Sequence, residues 1–213
     1  MSIFPFCKIN TRQCCLSSYL TFVKISLMKR LFDLNLAILA ALIFLIPFTL
    51  VWVAVRLTSE GPALYWSDRV GRNNRIFRMP KFRSMRIGAP DVATHLLDNP
   101  DLYLTPIGSF LRKSSLDELP QIWSILKGDM SFVGPRPALY NQDDLIASRT
   151  QAGVDQLLPG LTGWAQVNGR DGLTIPKKIK LDIEYMHRQS LWFDIVILWL
   201  TFLIVLKRDG VSH

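Results

Sequence analysis

The stretch Ala41-Leu42-Ile43-Phe44-Leu45-Ile46-Pro47-Phe48-Thr49-Leu50 decides how the rest of the chain can be arranged. It is the middle of an apolar run from Leu31 to Leu57, interrupted mainly by Asp33, Asn35 and Arg56. By length the run could cross a bilayer, which takes about 20 predominantly apolar residues. Pro47 argues for a bend, because it lacks the N–H that a helix interior uses. Charge argues the same way. Lys24, Lys29 and Arg30 precede the run, and Arg56, Arg69, Arg72, Arg75, Arg78, Lys81, Arg83 and Arg86 follow it. Basic flanks stay on the cytoplasmic side, and a straight span would separate them. A helix that enters the membrane, bends at Ile46-Pro47 and leaves by the same face keeps both inside; a spanning helix that tolerates its proline is the alternative. Asp33 reads as an interfacial partner of Lys29 or Arg30, or as part of a solvated first turn.

Outward from that run, the chain divides into four segments. Residues 1–27 form an extension without a signal-peptide pattern, and Met28 offers an alternative start. Residues 28–58 hold the re-entrant helix, 59–190 the main polar domain, and 191–213 a C-terminal interfacial helix and tail. The whole reads as α+β, mainly helical, with one core across 213 residues. A net charge of +8 calls for an anionic partner, and a hydrophobic fraction of 49% disfavours a purely soluble nucleic-acid binder. The three cysteines lie within the first fifteen residues, so no disulfide framework can form around the domain and a reducing compartment is expected.

Within the polar domain, Ala63–Trp66 and Arg75–Met79 read as a small β-hairpin, with Asn73-Asn74 able to take left-handed conformations at its turn. It leads into Pro80-Lys81-Phe82-Arg83-Ser84-Met85-Arg86, a basic and aromatic segment suited to headgroups, to substrate phosphate, or to RNA. His95 stands alone and reads as a surface or satisfied histidine. Next comes the candidate centre, Ser114-Ser115-Leu116-Asp117-Glu118-Leu119-Pro120-Gln121, delivered behind Arg112. Taken alone, Ser-x-x-Glu before an apolar run is a capping box, with Ser115 as the cap and Glu118 closing it. The competing reading makes Asp117 and Glu118 a catalytic pair. Arg136, set between Pro135 and Pro137, suits bidentate phosphate recognition. Pro159 to Arg170 is glycine-rich, too much so for a helix, and reads as a pocket-forming loop. No Walker pattern occurs. Leu191 to Leu206 is shorter than a span and carries Asp194, so it reads as an interfacial or core helix.

Together these blocks resemble the bacterial sugar transferase family, the monotopic phosphoglycosyl transferases, from about Lys29 to the C-terminal region. The carriers are Lys29-Arg30-Leu31-Phe32-Asp33, Gly61-Pro62, Arg69-Val70-Gly71, Lys81 to Met85, Leu111 to Gln121, Gly128 to Ser131, Val133 to Pro137, and Pro159 to Arg170. Family members commonly have Ser before the central proline, where this chain has Ile46.

The resemblance implies a monotopic membrane protein of the bacterial inner membrane with its catalytic domain facing the cytoplasm, a re-entrant helix kinked at Pro47, and interfacial amphipathic helices. It implies transfer of a sugar 1-phosphate from a UDP-sugar to undecaprenyl phosphate with release of UMP, with Mg²⁺ as cofactor. Asp117 maps to the nucleophile and Glu118 to the acid that assists with the metal; Asp117 and Glu118 are thus the expected metal ligands. Arg112 and Arg136, then Lys81 and Arg83, are the expected phosphate cations, and Trp164, Gln166 and Asn168 the nucleotide or sugar pocket. Membrane lipids are expected partners, nucleic acid is not, and downstream glycosyltransferases are compatible with the role. Two alternatives stay open: direct attack by the lipid phosphate with the acids only as metal ligands, and a non-catalytic membrane-surface binding protein.

Overall fold

The apolar run folds as two helices. In the computed structural model, which describes residues 11–90, 99–169 and 172–207, α1 (Thr11–Ile43) and α2 (Leu45–Thr58) meet at Phe44 and bend by 61°. The break therefore falls one turn ahead of the expected Ile46-Pro47. A proline ring collides with the carbonyl four residues back, here that of Ile43, and withholds the hydrogen bond that carbonyl would accept. The ladder resumes when Phe48 N donates to Phe44 O at 2.8 Å. No single described helix is long and apolar enough to cross a membrane. The side chains around the bend are bare: Leu42, Ile43, Leu45 and Ile46 are all exposed.

After α2 come β1 (Leu64–Val70) and β2 (Ile76–Phe82), then α3 (Gly108–Lys113) and α4 (Ile122–Lys127). They are followed by β3 (Ser131–Val133), β4 (Ala138–Leu139), α5 (Asp143–Gln151), β5 (Gly160–Thr162), α6 (Trp164–Val167), α7 (Ile175–Arg188) and α8 (Leu191–Lys207). The fold is mainly helical with small sheets. β1 and β2 form the expected hairpin, longer than the sequence suggested, with Leu64 opposite Phe82 and Val70 opposite Ile76. Asn73 and Asn74 take φ of 55° and 57° at its turn, as their short polar side chains allow. β4 adds to the free edge of β1, and β3 pairs in parallel with β5. Residues 1–10, His95, Arg170 and the tail from Arg208 lie outside the described residues.

The middle of α1 is bolted into the domain. Lys29 Nζ lies 2.5 Å from Asp194 Oδ2 on α8. Arg30 donates to the carbonyls of Ile125 and Leu126 at 2.6 and 2.8 Å, capping the last turn of α4. Asp33 accepts from Phe132 N at 3.2 Å and is buried. The expected interfacial pairing of Asp33 with Lys29 or Arg30 is thus replaced: each of the three reaches a different element.

Two apolar clusters form. Ala37, Met79, Ile125, Phe132, Tyr185, Phe193 and Ile197 belong to the larger, and Val51, Val55, Ala63, Phe82 and Leu111 to the smaller. Leu116 and Leu119 pack on the smaller and Ile122 on the larger, so residues 116–122 are wedged between them. That wedge carries the acid pair.

Candidate active site

Asp117 and Glu118 sit in a 3₁₀ turn, Leu116–Gln121, which runs directly into α4. Ser115 takes a left-handed conformation, φ 56°, and its side chain makes no cap hydrogen bond. The capping-box reading therefore fails. Glu118 does not reach back to Ser115; its Oε1 accepts from Lys81 Nζ at 3.2 Å and Arg136 Nη2 at 3.3 Å. Lys81 comes from β2 and Arg136 from the loop between β3 and β4, so the carboxylate ties three separate parts of the domain together.

The neighbouring acids are driven apart electrically. Burial raises the Asp117 pKa and the Glu118 charge raises it further, against Lys81, Arg112 and Arg136, and the result is about 6. Burial also acts upward on Glu118, but contact with Lys81 and Arg136 outweighs it and holds this acid at about 2. One carboxylate is thus fixed as an anion within a cationic grip, while its neighbour is buried and unusually basic. Such separation of adjacent acids is typical of functional sites.

The pair opens into a cleft of about 390 Å³, within the ~300 to 1,000 Å³ of ordinary ligand sites. Arg112, Asp117, Glu118 and Arg136 line its polar end. Its other walls are apolar, from Ala40 of α1, Phe44 at the bend, and Leu198, Phe202 and Val205 of α8. Ser115, Gln166, and Thr162 and Thr201, whose hydroxyls are 2.7 Å apart, add further polar groups.

Close backbone approach shapes this wall. Gly134 N donates to Thr162 O and Gly160 N to Pro135 O, both at 2.9 Å. A Cβ at Gly134 would lie 2.3 Å from the Leu158 carbonyl oxygen, and one at Gly160 would lie 2.1 Å from Gly134 N. Only glycine lets the two segments meet. The same loop is braced from behind: Arg149 Nη1 donates to the Arg136 carbonyl at 2.7 Å, and its Nη2 lies 2.8 Å from Asp182 Oδ2 on α7.

The structure gathers Asp117, Glu118, Arg112, Arg136, Lys81 and Gln166, and leaves three expected residues elsewhere. Arg83 lies past the end of β2 and donates to the Pro62 carbonyl at 2.8 Å, stitching the exit of α2. Trp164 packs its ring on Phe193, 5.1 Å between centroids, and against the larger core cluster. Asn168 donates to the Trp164 carbonyl at 2.7 Å and closes α6. α6 itself is a helical turn in a stretch expected to be wholly loop. Arg149, Thr162 and Thr201 join the arrangement without having been singled out. For Thr201 a signal existed, a lone hydroxyl inside the run from Leu191 to Leu206.

As for a metal, among the described residues no group of three or more His, Cys, Asp or Glu comes together. Two adjacent carboxylates fit Mg²⁺, which keeps most of its waters and completes its shell with substrate phosphates, and fit poorly a metal that needs an all-protein cage.

Known proteins are similar to this chain. The chain is 40% identical over 205 residues to the undecaprenyl-phosphate glucose phosphotransferase of Komagataeibacter xylinus, covering 87% of this chain and 36% of the relative. It is 40% identical over 194 residues to galactosyl transferase CpsE of Streptococcus agalactiae, covering 85% and 43%. Against the uncharacterized sugar transferase EpsL of Bacillus subtilis it is 40% identical over 189 residues, covering 88% and 91%. The chain therefore spans less than half the length of the first two and nearly all of the third. Residues 24–208 match the bacterial sugar transferase family, and the chain belongs to it.

Proposed function

We propose that this protein transfers a sugar 1-phosphate from a UDP-sugar to undecaprenyl phosphate, releasing UMP and priming lipid-linked glycan assembly at the cytoplasmic face of the inner membrane. The observation that carries the reading is the unequal acid pair, one buried and basic, the other gripped by Lys81 and Arg136, at the polar end of an apolar cleft. The relative from Komagataeibacter xylinus, a named undecaprenyl-phosphate phosphotransferase, supports the substrate class.

The Asp117 carboxylate attacks the β-phosphorus of the donor. The bond from that phosphorus to the bridging oxygen breaks, and UMP leaves with the electron pair. An oxygen of the lipid phosphate then attacks the same phosphorus and releases Asp117 as a carboxylate. A raised pKa makes Asp117 a stronger nucleophile than an ordinary aspartate while leaving it mostly ionised at neutral pH. Arg112 and Arg136 offset the charge of the two phosphate partners. Glu118 keeps Lys81 and Arg136 in register and, with Asp117, would hold Mg²⁺, which supplies further charge neutralisation on the diphosphate.

The bent pair α1 and α2 supports the membrane seat. The bare residues at its bend, Leu42 to Ile46, form a tip that water does not favour. Thr49 and Thr58 on α2 return their hydroxyls to the carbonyls of Leu45 and Ala54, so neither needs water. A re-entrant seat places the cleft at the interface, with Trp192, Trp199 and Phe202 of α8 at headgroup level.

The experiment is a screen of UDP-sugars for UMP release on membranes, with Asp117→Asn as the control. A labelled sugar phosphate should remain on the protein when the lipid acceptor is withheld. Near-normal turnover by Asp117→Asn would reject the nucleophile, and turnover with no trapped label would favour direct attack.

A further inference from the structure

We infer that the outer face of the β-hairpin holds an anionic glycerophospholipid in a groove separate from the catalytic cleft. It rests on the membrane seat proposed above. Residues opposite one another in the register share a face, and on this face polarity changes along the strands: Leu64 beside the buried Phe82, Trp66 with Pro80, then Asp68 with Arg78. At the apolar end lies a groove of about 510 Å³, formed with Phe44, Phe48, Leu119 and Trp123. Its walls come from the bend between α1 and α2, from the wedge and from α4. Trp66 and Trp123 end this groove and also line a second cleft of about 230 Å³, which adds Arg78, Ser124, Lys127 and Asp129.

The two spaces form one amphiphilic track, large and apolar at the bend, small and mostly cationic at the far end. Arg78 lies 5.6 Å from the centre of the Trp66 ring, and Lys127 is 2.9 Å from Asp129. Asp68 faces Arg78 across the hairpin. Two cations and one carboxylate line the cleft, a net positive charge that complements a headgroup of net negative charge better than a zwitterionic one of zero net charge, and flanking tryptophans suit headgroup depth. The catalytic cleft lies on the other side of Phe44, Leu119 and Ile122, with its own apolar wall from α8. The acceptor's tail therefore need not use this track.

The test uses the full chain in detergent, so that lipid binding is read apart from membrane seating. Phosphatidylglycerol brominated on its acyl chains should quench tryptophan fluorescence saturably, and Trp66→Phe with Trp123→Phe should remove that component. Arg78→Gln with Lys127→Gln, both on exposed side chains, should weaken it about tenfold or more, as loss of charge-assisted phosphate contacts predicts. Equal quenching by brominated phosphatidylcholine, an unchanged curve in the Gln variants, or displacement by polyprenyl phosphate would overturn the inference. UMP release from the same preparation reports on the transferase reading independently, since quenching needs no sugar nucleotide.

Discussion

Replacing Lys29 by Met tests whether α1 is locked to the domain by a buried charge. Lys29 and Asp194 have side chains only 11% and 1% exposed, and their charged atoms are 2.5 Å apart. Asp194 Oδ1 also receives the Tyr185 hydroxyl at 2.7 Å. Met matches the length of Lys without its charge, so the substitution leaves a buried carboxylate with one neutral donor. Breaking one side of such a pair costs about 3 to 5 kcal/mol. In a chain of this size each kcal/mol moves the midpoint by about 2 to 4 °C, so detergent-solubilised protein should unfold roughly 6 to 20 °C lower. The pH dependence has a definite sign. Burial raises the Asp194 pKa and Lys29 opposes it, so removing Lys29 raises it further. An acid whose pKa is higher folded than unfolded favours folding while protonated and loses that contribution as pH rises through the folded value. The deficit should therefore shrink toward acid and widen toward neutrality. Adding Asp194→Asn should recover most of the loss, since the amide keeps an acceptor for Tyr185. A single variant within about 1 kcal/mol of the parent, or a deficit that ignores pH, would refute the reasoning.

Three further outcomes follow from the site. Turnover should fall on an acid limb with its inflection near 6, because protonated Asp117 cannot attack; in Glu118→Gln residual turnover the inflection should move down, since a raising charge is lost and Lys81 and Arg136 no longer have the Glu118 carboxylate to neutralise. Gly134→Ala forces a Cβ to within 2.3 Å of the Leu158 carbonyl; the backbones must part at about 1 to 3 kcal/mol, and UMP release should drop with thermal stability as Arg136 shifts. Pro47→Ala restores the donor that the Ile43 carbonyl lacks and favours a straight helix by about 3 kcal/mol. Cysteines placed before Lys29 and after Gly61 should then become labelled from opposite faces of the membrane, and unchanged same-side labelling would count against the proline as the cause of the bend.

How far these features could be read in advance depends on range. Asn73-Asn74 marked the hairpin because turn chemistry is local, and Pro47 marked the bend, though displaced to Phe44 because the ring acts on the preceding turn. Lys81 was recoverable from its basic and aromatic neighbourhood. Arg83 was not separable from it: two residues apart on one strand they would share a face, but β2 ends at Phe82. Trp164 looked like a pocket residue among glycines, and only the distant Phe193 makes it core. Lys29 with Asp194, and Arg149 with Asp182, are pairs of one acid and one base set far apart, which leave no periodic trace.

The capping-box reading of Ser115 and Glu118 failed for a reason that bears on mechanism. A capped α-helix would have spent the Glu118 carboxylate on a backbone N–H of its own turn. The 3₁₀ turn and left-handed Ser115 instead push both acids out of the local hydrogen-bond pattern. Glu118 is then available to Lys81 and Arg136, and Asp117 is left facing the cleft with its charge only partly compensated. In the proposed reaction two phosphate-bearing substrates meet here, one from water and one from lipid. A grip that keeps one acid anionic holds the cations in place between turnovers, and a buried neighbour with a raised pKa supplies the reactive oxygen. The wedge between the two apolar clusters fixes both acids where the polar mouth meets the apolar wall, and in that reaction a carboxylate so placed receives the phosphoryl group from the first partner and hands it to the second.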